Sequence, residues 1–301
     1  MRYHGAMPRE YQRGVALISV LWITTLLAVI AASFASSART EGQLALNMVE
    51  NAKAEALADG AVHRAVLGLA DPDLERVWRS DGTPYRLDYG EGAVTVRVYD
   101  EDAKVDLNAA PPALLAGVLG LVGLEPEQAE ILAERIVDYR DEDDQPEPNG
   151  AEDPDYEAAG RANGAIDRPL LTEAELLGVL GMSEALYRRL RPWVTVHSGA
   201  EGIDPTRASP EILRSVPGMT PEIAEAIRAA GPDADPFETI DDDTLFDLEI
   251  YFIPSREIMF RVQAEARTTG GGVFVREAVI ELTLDPVRPF IVHAWRRGEL
   301  S

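Results

Sequence analysis

Hydrophobic and polar positions change pattern three times along this chain. The first pattern is an uncharged run, Val15 to Ala38, reading VALISVLWITTLLAVIAASFASSA. As an α-helix it spans about 36 Å, enough to cross the ~30 Å hydrocarbon core of a bilayer. From Arg39 to about Leu69 the chain holds no proline and is rich in alanine. Leu44, Met48, Ala52, Ala56, Val62, Val66 and Leu69 recur there at near-helical spacing, so one continuous helix is predicted from the apolar run into a soluble region.

The second pattern has period two. Tyr85 to Tyr89 and Ala93 to Tyr99 alternate as strands do, joined at Gly90-Glu91-Gly92. Glu257 to Thr268 and Val273 to Leu284 repeat the arrangement around Gly270-Gly271-Gly272. Val262, Ala264 and Ala266 alternate with Gln263, Glu265 and Arg267, as in a half-buried strand. Phe290 to Arg296 adds a last strand. Together they predict one antiparallel sheet packed on the soluble half of the long helix.

Between the two sets of strands the period becomes helical and short. Thr172 with Glu175 reads as a capping box. Ser209-Pro210 and Thr220-Pro221 each put a capping residue before a proline, and Gly231 is placed to end the helix that Thr220 starts. Asp71-Pro72 and Asp81-Gly82 mark turns after the long helix. The helical stretch contains an echo: 105–115 (VDLNAAPPALL) aligns without gaps with 203–213 (IDPTRASPEIL). Each copy leads into helix, glycine turn and helix, the turns being Gly123-Leu124 and Pro217-Gly218-Met219. Gly181-Met182-Ser183 is a third such turn without the lead-in. A duplicated helical unit inserted into a sheet is the reading.

Charge adds orientation and excludes some partners. Arg2, Arg9 and Arg13 precede the apolar run, which keeps the short N-terminus cytoplasmic and puts everything after Arg39 on the far side. The rival is a secretory signal peptide cut near Ala31-Ala32-Ser33, but the unbroken helix pattern beyond it argues against removal. The 301 residues carry a formal net charge of -24 and no cysteine. Disulfides and thiolate metal sites are therefore impossible. The acidity disfavours nucleic acid and anionic lipid headgroups and favours basic partners and hard cations.

The candidate chemistry is concentrated in one acidic stretch. Between Asp138 and Glu157, Arg140 stands alone among the bases against a run of aspartates and glutamates. Asp141, Asp143, Gln145 and Glu152 fall at positions one, three, five and twelve of a calcium-loop count. Pro146 occupies the sixth position, where an EF-hand needs a positive φ that proline cannot adopt. The stretch is then either an irregular calcium loop, with Asp141, Asp143, Asp144, Glu152 and Asp155 as ligands, or a solvated acidic surface loop. Asp241-Asp242-Asp243 with Asp247 reads as a solvated helix start. The glycine turn at 217–219 also has the form of a helix-hairpin-helix DNA-binding unit. Arg207, Arg214 and Arg228 are there outnumbered by acids, and no lysine is present, so a phosphate backbone would be repelled. His4, His63, His197 and His293 are scattered, and no nucleophile elbow, P-loop or dinucleotide fingerprint occurs, so no enzymatic activity is expected.

A basic leader ending in Arg13-Gly14, followed by a long apolar-to-amphipathic helix, resembles the type IV pilin and pseudopilin class. That resemblance implies cleavage by a prepilin peptidase between Gly14 and Val15 and methylation of the new terminus. A start at Met7 would leave a shorter leader. Most such subunits carry a glutamate five residues after the cut, where this chain has Ser19. A hydroxyl bonds back to its own helix but supplies no counter-charge in lipid. Such a subunit receives others beneath it and docks poorly on top of one, which suits a filament tip.

Four further segments sharpen the resemblance: Asp138-Tyr139-Arg140-Asp141 with Asn149-Gly150-Ala151-Glu152, Leu171-Thr172-Glu173-Ala174-Glu175-Leu176, and Trp295-Arg296-Arg297-Gly298. With the anchor and the duplicated insert they resemble the minor pseudopilin K family of type II secretion systems, over nearly the whole chain. The expected fold class is α+β, a type IV pilin-like fold with an inserted, mostly α-helical domain of duplicated helix-hairpin-helix-like units. The expected divisions are a leader (1–14), a transmembrane part (15–38), pilin-like parts (39–100 and 252–301) and the helical insert (101–251). The resemblance implies a single-pass inner-membrane subunit with a periplasmic soluble part. It implies a place at the pseudopilus tip with minor pseudopilins I and J, and calcium in the insert. A minor pilin of a type IV pilus is the alternative, and a membrane-anchored helix-hairpin-helix DNA-binding protein the third.

Overall fold

The structure, a computed structural model, describes residues 10–71, 73, 76–230, 240 and 242–299. Met7, Pro72, Gly231 and Asp241, singled out above, lie outside them, as does most of the leader. The first helix, α1 (Glu10–Leu69), runs unbroken for 60 residues, or about 90 Å at the helical rise. Its apolar part is not packed on the rest of the chain: Leu17, Trp22, Leu26 and Phe34 are all exposed. The helix is long and apolar enough to cross a membrane.

Its C-terminal half lies on a five-stranded antiparallel sheet ordered β1 (Tyr85–Asp88), β2 (Gly92–Asp100), β5 (Met259–Thr268), β6 (Val273–Leu282) and β7 (Phe290–Arg297). The helix stripe that faces it is Ala54, Ala58, Ala61, Val62, Ala65, Val66 and Leu69, against Val94, Val96, Val98, Val262, Ala264 and Ala266. The residues whose spacing predicted the continuous helix divide between its faces. Val62, Val66 and Leu69 are buried, but Leu44 and Met48 are 57% and 73% exposed, and Ala52 and Ala56 also face out. Alanine lines the contact because a short side chain lets the helix lie close on the sheet. Arg276 of β6 fastens it, bonding Asp59 at 2.6 Å and Glu55 at 2.7 Å on α1. Trp78 caps the helix end, stacked on Tyr85 with ring centroids 4.1 Å apart.

Sequence separates β2 from β5, yet they are neighbours in the sheet, with Asp100 opposite Phe260. The described helices between them pack around a second core. They include α2 (Pro112–Leu121), α3 (Pro126–Arg140), α4 (Asp153–Ala158), α5 (Glu184–Leu190), α6 (Pro210–Ser215), α7 (Pro221–Ala230) and α8 (Asp242–Glu249). The echo is structural. Val105, in β3 (Val105–Asp106), pairs parallel with Val194, in β4 (Val194–Thr195); its counterpart Ile203 pairs parallel with Phe252. Asp106 and Asp204, both buried, each accept a backbone N–H two residues on, from Asn108 at 2.7 Å and Thr206 at 2.8 Å. All three glycine turns use the left-handed region, at φ 95° for Gly123, 99° for Gly181 and 81° for Gly218.

The capping-box expectation is corrected. Thr172 precedes a 3₁₀ turn, Glu173–Gly178, but its side chain makes no cap. Glu175 instead accepts the Leu171 N–H at 2.8 Å and pairs with Arg168. The repeated hairpins meet where α2 crosses α6, and Gly117 makes that crossing possible: a Cβ there would sit 1.9 Å from the Ser215 carbonyl oxygen. Gly117→Ala should therefore cost about 1–3 kcal/mol, read as a lower melting temperature of the helical circular-dichroism signal. An unchanged melt would show that the two hairpins separate freely.

Candidate functional site

The acidic stretch is built on the end of α3. Arg140, its last residue, turns inward and donates to the carbonyls of Leu107 and, at 2.8 Å, Ala110. Asp138, two residues earlier and fully buried, ties the following loop at two points. Its Oδ1 accepts the Glu147 N–H at 3.1 Å and its Oδ2 the Ala151 N–H at 2.7 Å. Gly150 lies so close to this carboxylate that a Cβ would fall 1.7 Å from Oδ2. Asp138 and Gly150 in these motifs thus shape the loop, while Arg140 ties the end of α3 to the segment before α2.

The five candidate ligands divide into two groups. Asp141 caps the C-terminus of α3 and Glu152 lies just ahead of α4, only 5% exposed. Asp141 Oδ1 and Glu152 Oε1 are buried with no hydrogen-bond partner. Asp143, Asp144 and Asp155 are exposed. Asp143 closes a local turn by accepting the Gln145 N–H at 2.9 Å, and Asp155 accepts the Glu152 N–H at 3.1 Å. Among the described residues, no three carboxylate or imidazole groups converge tightly enough to hold one ion by themselves.

The electrostatics of the loop are those of uncompensated negative charge. Burial pushes the Glu152 carboxyl up to about 7, and the charges of Asp138, Asp141, Asp167 and Asp144 add to the rise. Burial and the neighbouring carboxylates likewise raise Asp138 and Asp141. Asp167 is raised by burial and by Asp153 and Asp144, and takes a positive φ of 49°. The sequence reading missed Asp167 because it lies beyond the acidic run. No local signal marked it; the chain before it folds back so that the Ala165 N–H reaches Asp153 Oδ1 at 3.1 Å. Two desolvated carboxylate oxygens without donors, in a field of four further acids, are a chemical fit to a hard cation.

A second charged cluster joins the helical region to the sheet. Arg261 of β5, 4% exposed, bonds Glu101 Oε1 at 2.8 Å, Glu173 Oε1 at 2.6 Å and Glu277 Oε1 at 2.9 Å. Arg296 of β7 completes it, donating to Glu173 Oε2 at 2.9 Å and Glu277 Oε1 at 2.8 Å. Lys104 holds Glu101 at 2.9 Å. Burial alone would raise Glu173, but the guanidinium groups of Arg261 and Arg296 hold it down to about 2. The run 171–176 and the C-terminal Trp-Arg-Arg-Gly segment, distant in sequence, thus meet through Glu173 and Arg296.

The remaining candidates lie apart from both clusters. Gly14, Val15 and Ser19 are in the first turns of α1. The Gly218 turn packs under α8, where a Cβ would touch Leu248 at 3.6 Å. Of the arginines near that turn, Arg207 is held by Ser80 and Glu257, while Arg214 and Arg228 reach Glu211 and Glu225 only at 3.4 and 3.5 Å. The helix-hairpin-helix geometry here serves packing.

A family model described as type II secretion system (T2SS), protein K, matches residues 96–199, from β2 through the first half of the helical region. Type II secretion system protein K of Klebsiella pneumoniae is 30% identical over 225 residues, covering 66% of this chain and 68% of that protein. The protein of the same name from Pseudomonas aeruginosa is 28% identical over 242 residues, covering 73% and 72%. Among solved structures, a chain in the crystal structure of the GspK-GspI-GspJ complex from the enterotoxigenic Escherichia coli type 2 secretion system superposes with a TM-score of 0.62. It is 23% identical and covers 87% of this chain and 99% of that one. That likeness shows a pilin-like fold carrying an additional helical region. With the shared segments running from the sheet through the helical insert, the chain belongs to the type II secretion system protein K family.

Proposed function

We propose that this chain is a minor pseudopilin at the tip of the type II secretion pseudopilus, where it starts or caps assembly for protein export across the outer membrane. The observation that carries the reading is an exposed apolar helix continuous with a pilin-like domain, in a chain of the protein K family. The helix anchors the subunit in the bacterial inner membrane, N-terminus cytoplasmic and soluble part periplasmic. Prepilin peptidase cuts between Gly14 and Val15, and Val15 is methylated. Ser19 carries no charge to pair with a neighbour's terminal amine, so the subunit accepts others below it and closes the filament above. The related solved chain is crystallised with GspI and GspJ. This supports minor pseudopilins I and J as partners here. The protein K match favours type II secretion over a type IV pilus. The role is structural, without catalysis.

Calcium belongs to the same proposal. Asp141 and Glu152 offer buried unpartnered oxygens, and Asp143, Asp144 and Asp155 lie on the adjoining segments. With carbonyls and water, these side chains would hold the ion, while Asp138 shapes the loop. Bound calcium supplies the missing positive charge and stiffens the loop.

Intact-mass analysis of the protein from membranes, with and without active prepilin peptidase, tests the anchor. Peptidase-dependent loss of Met1 to Gly14 with a methylated Val15 is expected. An uncut chain, or a cut near Ala32, would remove the filament mechanism. Ser19→Glu tests the tip position and should impair secretion; normal assembly and secretion would show that the missing glutamate does not fix it.

A further inference from the structure

A cleft of about 760 Å³ opens between the sheet and the helical region, away from the acidic loop. Arg79, Lys104, Arg188, Arg191, Arg207 and Arg228 line it, with Arg261 also on its wall. The acids lining it are Asp81, Asp100, Glu277 and Glu299. Bases therefore outnumber acids here, in a chain with 28 bases against 52 acids. This reverses the charge balance of the chain as a whole, and a net-positive concave wall focuses its field.

The bases are unequally engaged. Arg79 is held by Asp81 at 2.6 Å, and Arg207 by Ser80 at 3.0 Å and by Glu257. Arg191 reaches Glu277 only at 3.4 Å and Glu299 at 3.5 Å, and Arg228 reaches Glu225 at 3.5 Å. Those distances are long for a charge-assisted bond, which is normally about 2.7–2.9 Å. Arg188 has no ion pair among the described residues. These three guanidinium groups come from α5, the turn after it and α7, so they spread across the cleft rather than converge on one point. Trp193, Pro210 and Tyr99 place apolar surface between them.

We propose that this cleft binds an acidic peptide segment of a partner protein. Several carboxylates along an extended chain match cations carried by separate elements, and the apolar wall takes the intervening side chains. A small inorganic anion would meet one or two of these groups and leave the rest unused. The partner need not be a filament subunit, so the inference stands apart from the tip position proposed above.

The test uses the full chain in an uncharged detergent and a fluorescently labelled octapeptide alternating glutamate and alanine. Anisotropy should show saturable binding that weakens as salt is raised. The double variant Arg188→Glu/Arg228→Glu should bind at least tenfold more weakly. Both side chains are exposed, so its thermal melt should match that of the parent. Arg189→Glu, next to Arg188 but outside the cleft, should bind as the parent does. Equal binding of a glutamine–alanine octapeptide, unchanged affinity in the double variant, or complete displacement by equimolar inorganic phosphate would each overturn the proposal.

Discussion

Arg261→Met should destabilise the soluble part by about 3–5 kcal/mol and loosen the helical region from the sheet. Arg261 is the shared partner of Glu101, Glu173 and Glu277, none more than 4% exposed. Methionine fills much of the same space but leaves three carboxylates in a low-dielectric joint, with Arg296 and Lys104 as the principal remaining counter-charges. Removing one member of a buried ion group costs far more than the intact group contributes, because the others stay desolvated. Denaturant unfolding, together with limited proteolysis across residues 101–104 and 256–259, measures the effect. A loss below about 1 kcal/mol would mean that water reaches the joint.

The pH dependence separates charge from packing. The native pKa of Glu173 lies near 2, below its ordinary 4.5. Its contribution is therefore complete above about pH 4.5 and disappears as the pH falls through 2. In Arg261→Met the sign should invert over the mildly acidic range. A buried carboxylate without its partner has a raised pKa, so protonation relieves the variant between about pH 7 and 5. The variant should gain more stability on mild acidification than the parent, whose own gain in that range comes from Glu152 and Asp100, raised to about 7 and about 6.

Calcium should raise the melting temperature of the same protein. At a free concentration a hundredfold above the dissociation constant, one site contributes about 2.7 kcal/mol. Asp141→Asn with Glu152→Gln should abolish the response. It should also raise the calcium-free melting temperature, because two buried charges of like sign are removed. Magnesium should give a smaller shift, since it demands octahedral geometry from ligands that an irregular loop does not arrange. Identical melting curves in calcium and in chelator would remove the cation from the account.

How far these features could be read from sequence depended on how local their causes are. The strands declared themselves by alternation, and β2, β5, β6 and β7 end within two residues of the expected bounds. The echo at 105–115 and 203–213 was readable because its small motifs, a buried aspartate and a helix start, are contiguous. The spacing of Leu44, Met48, Val62, Val66 and Leu69 announced the continuous helix but not which face meets the sheet. The contact itself selects Ala54, Ala58, Ala61 and Ala65 for closeness. The acidic loop was evident from composition, but nothing local marked Asp138 as the residue that shapes it or Asp167 as a neighbour. The joint was invisible: Glu101 and Arg261 lie 160 positions apart, and no pattern in either segment points to the other.

The neighbouring positions of Asp100 and Phe260 also bear on the order in which the protein forms. Bringing β2 and β5 together across a flexible chain of residues 101–259 would cost on the order of 4 kcal/mol more than closing a two-residue turn. A helical region that has already folded brings its own ends to adjacent places, and that entropic cost falls away. Its contacts are mostly short in sequence, the kind that form early. The strands on the far side of the helical region are the last part of the chain to be made, so the sheet is completed only when the inserted region has set its two edges side by side. The insertion then acts as the template on which the older-looking part of the fold is assembled.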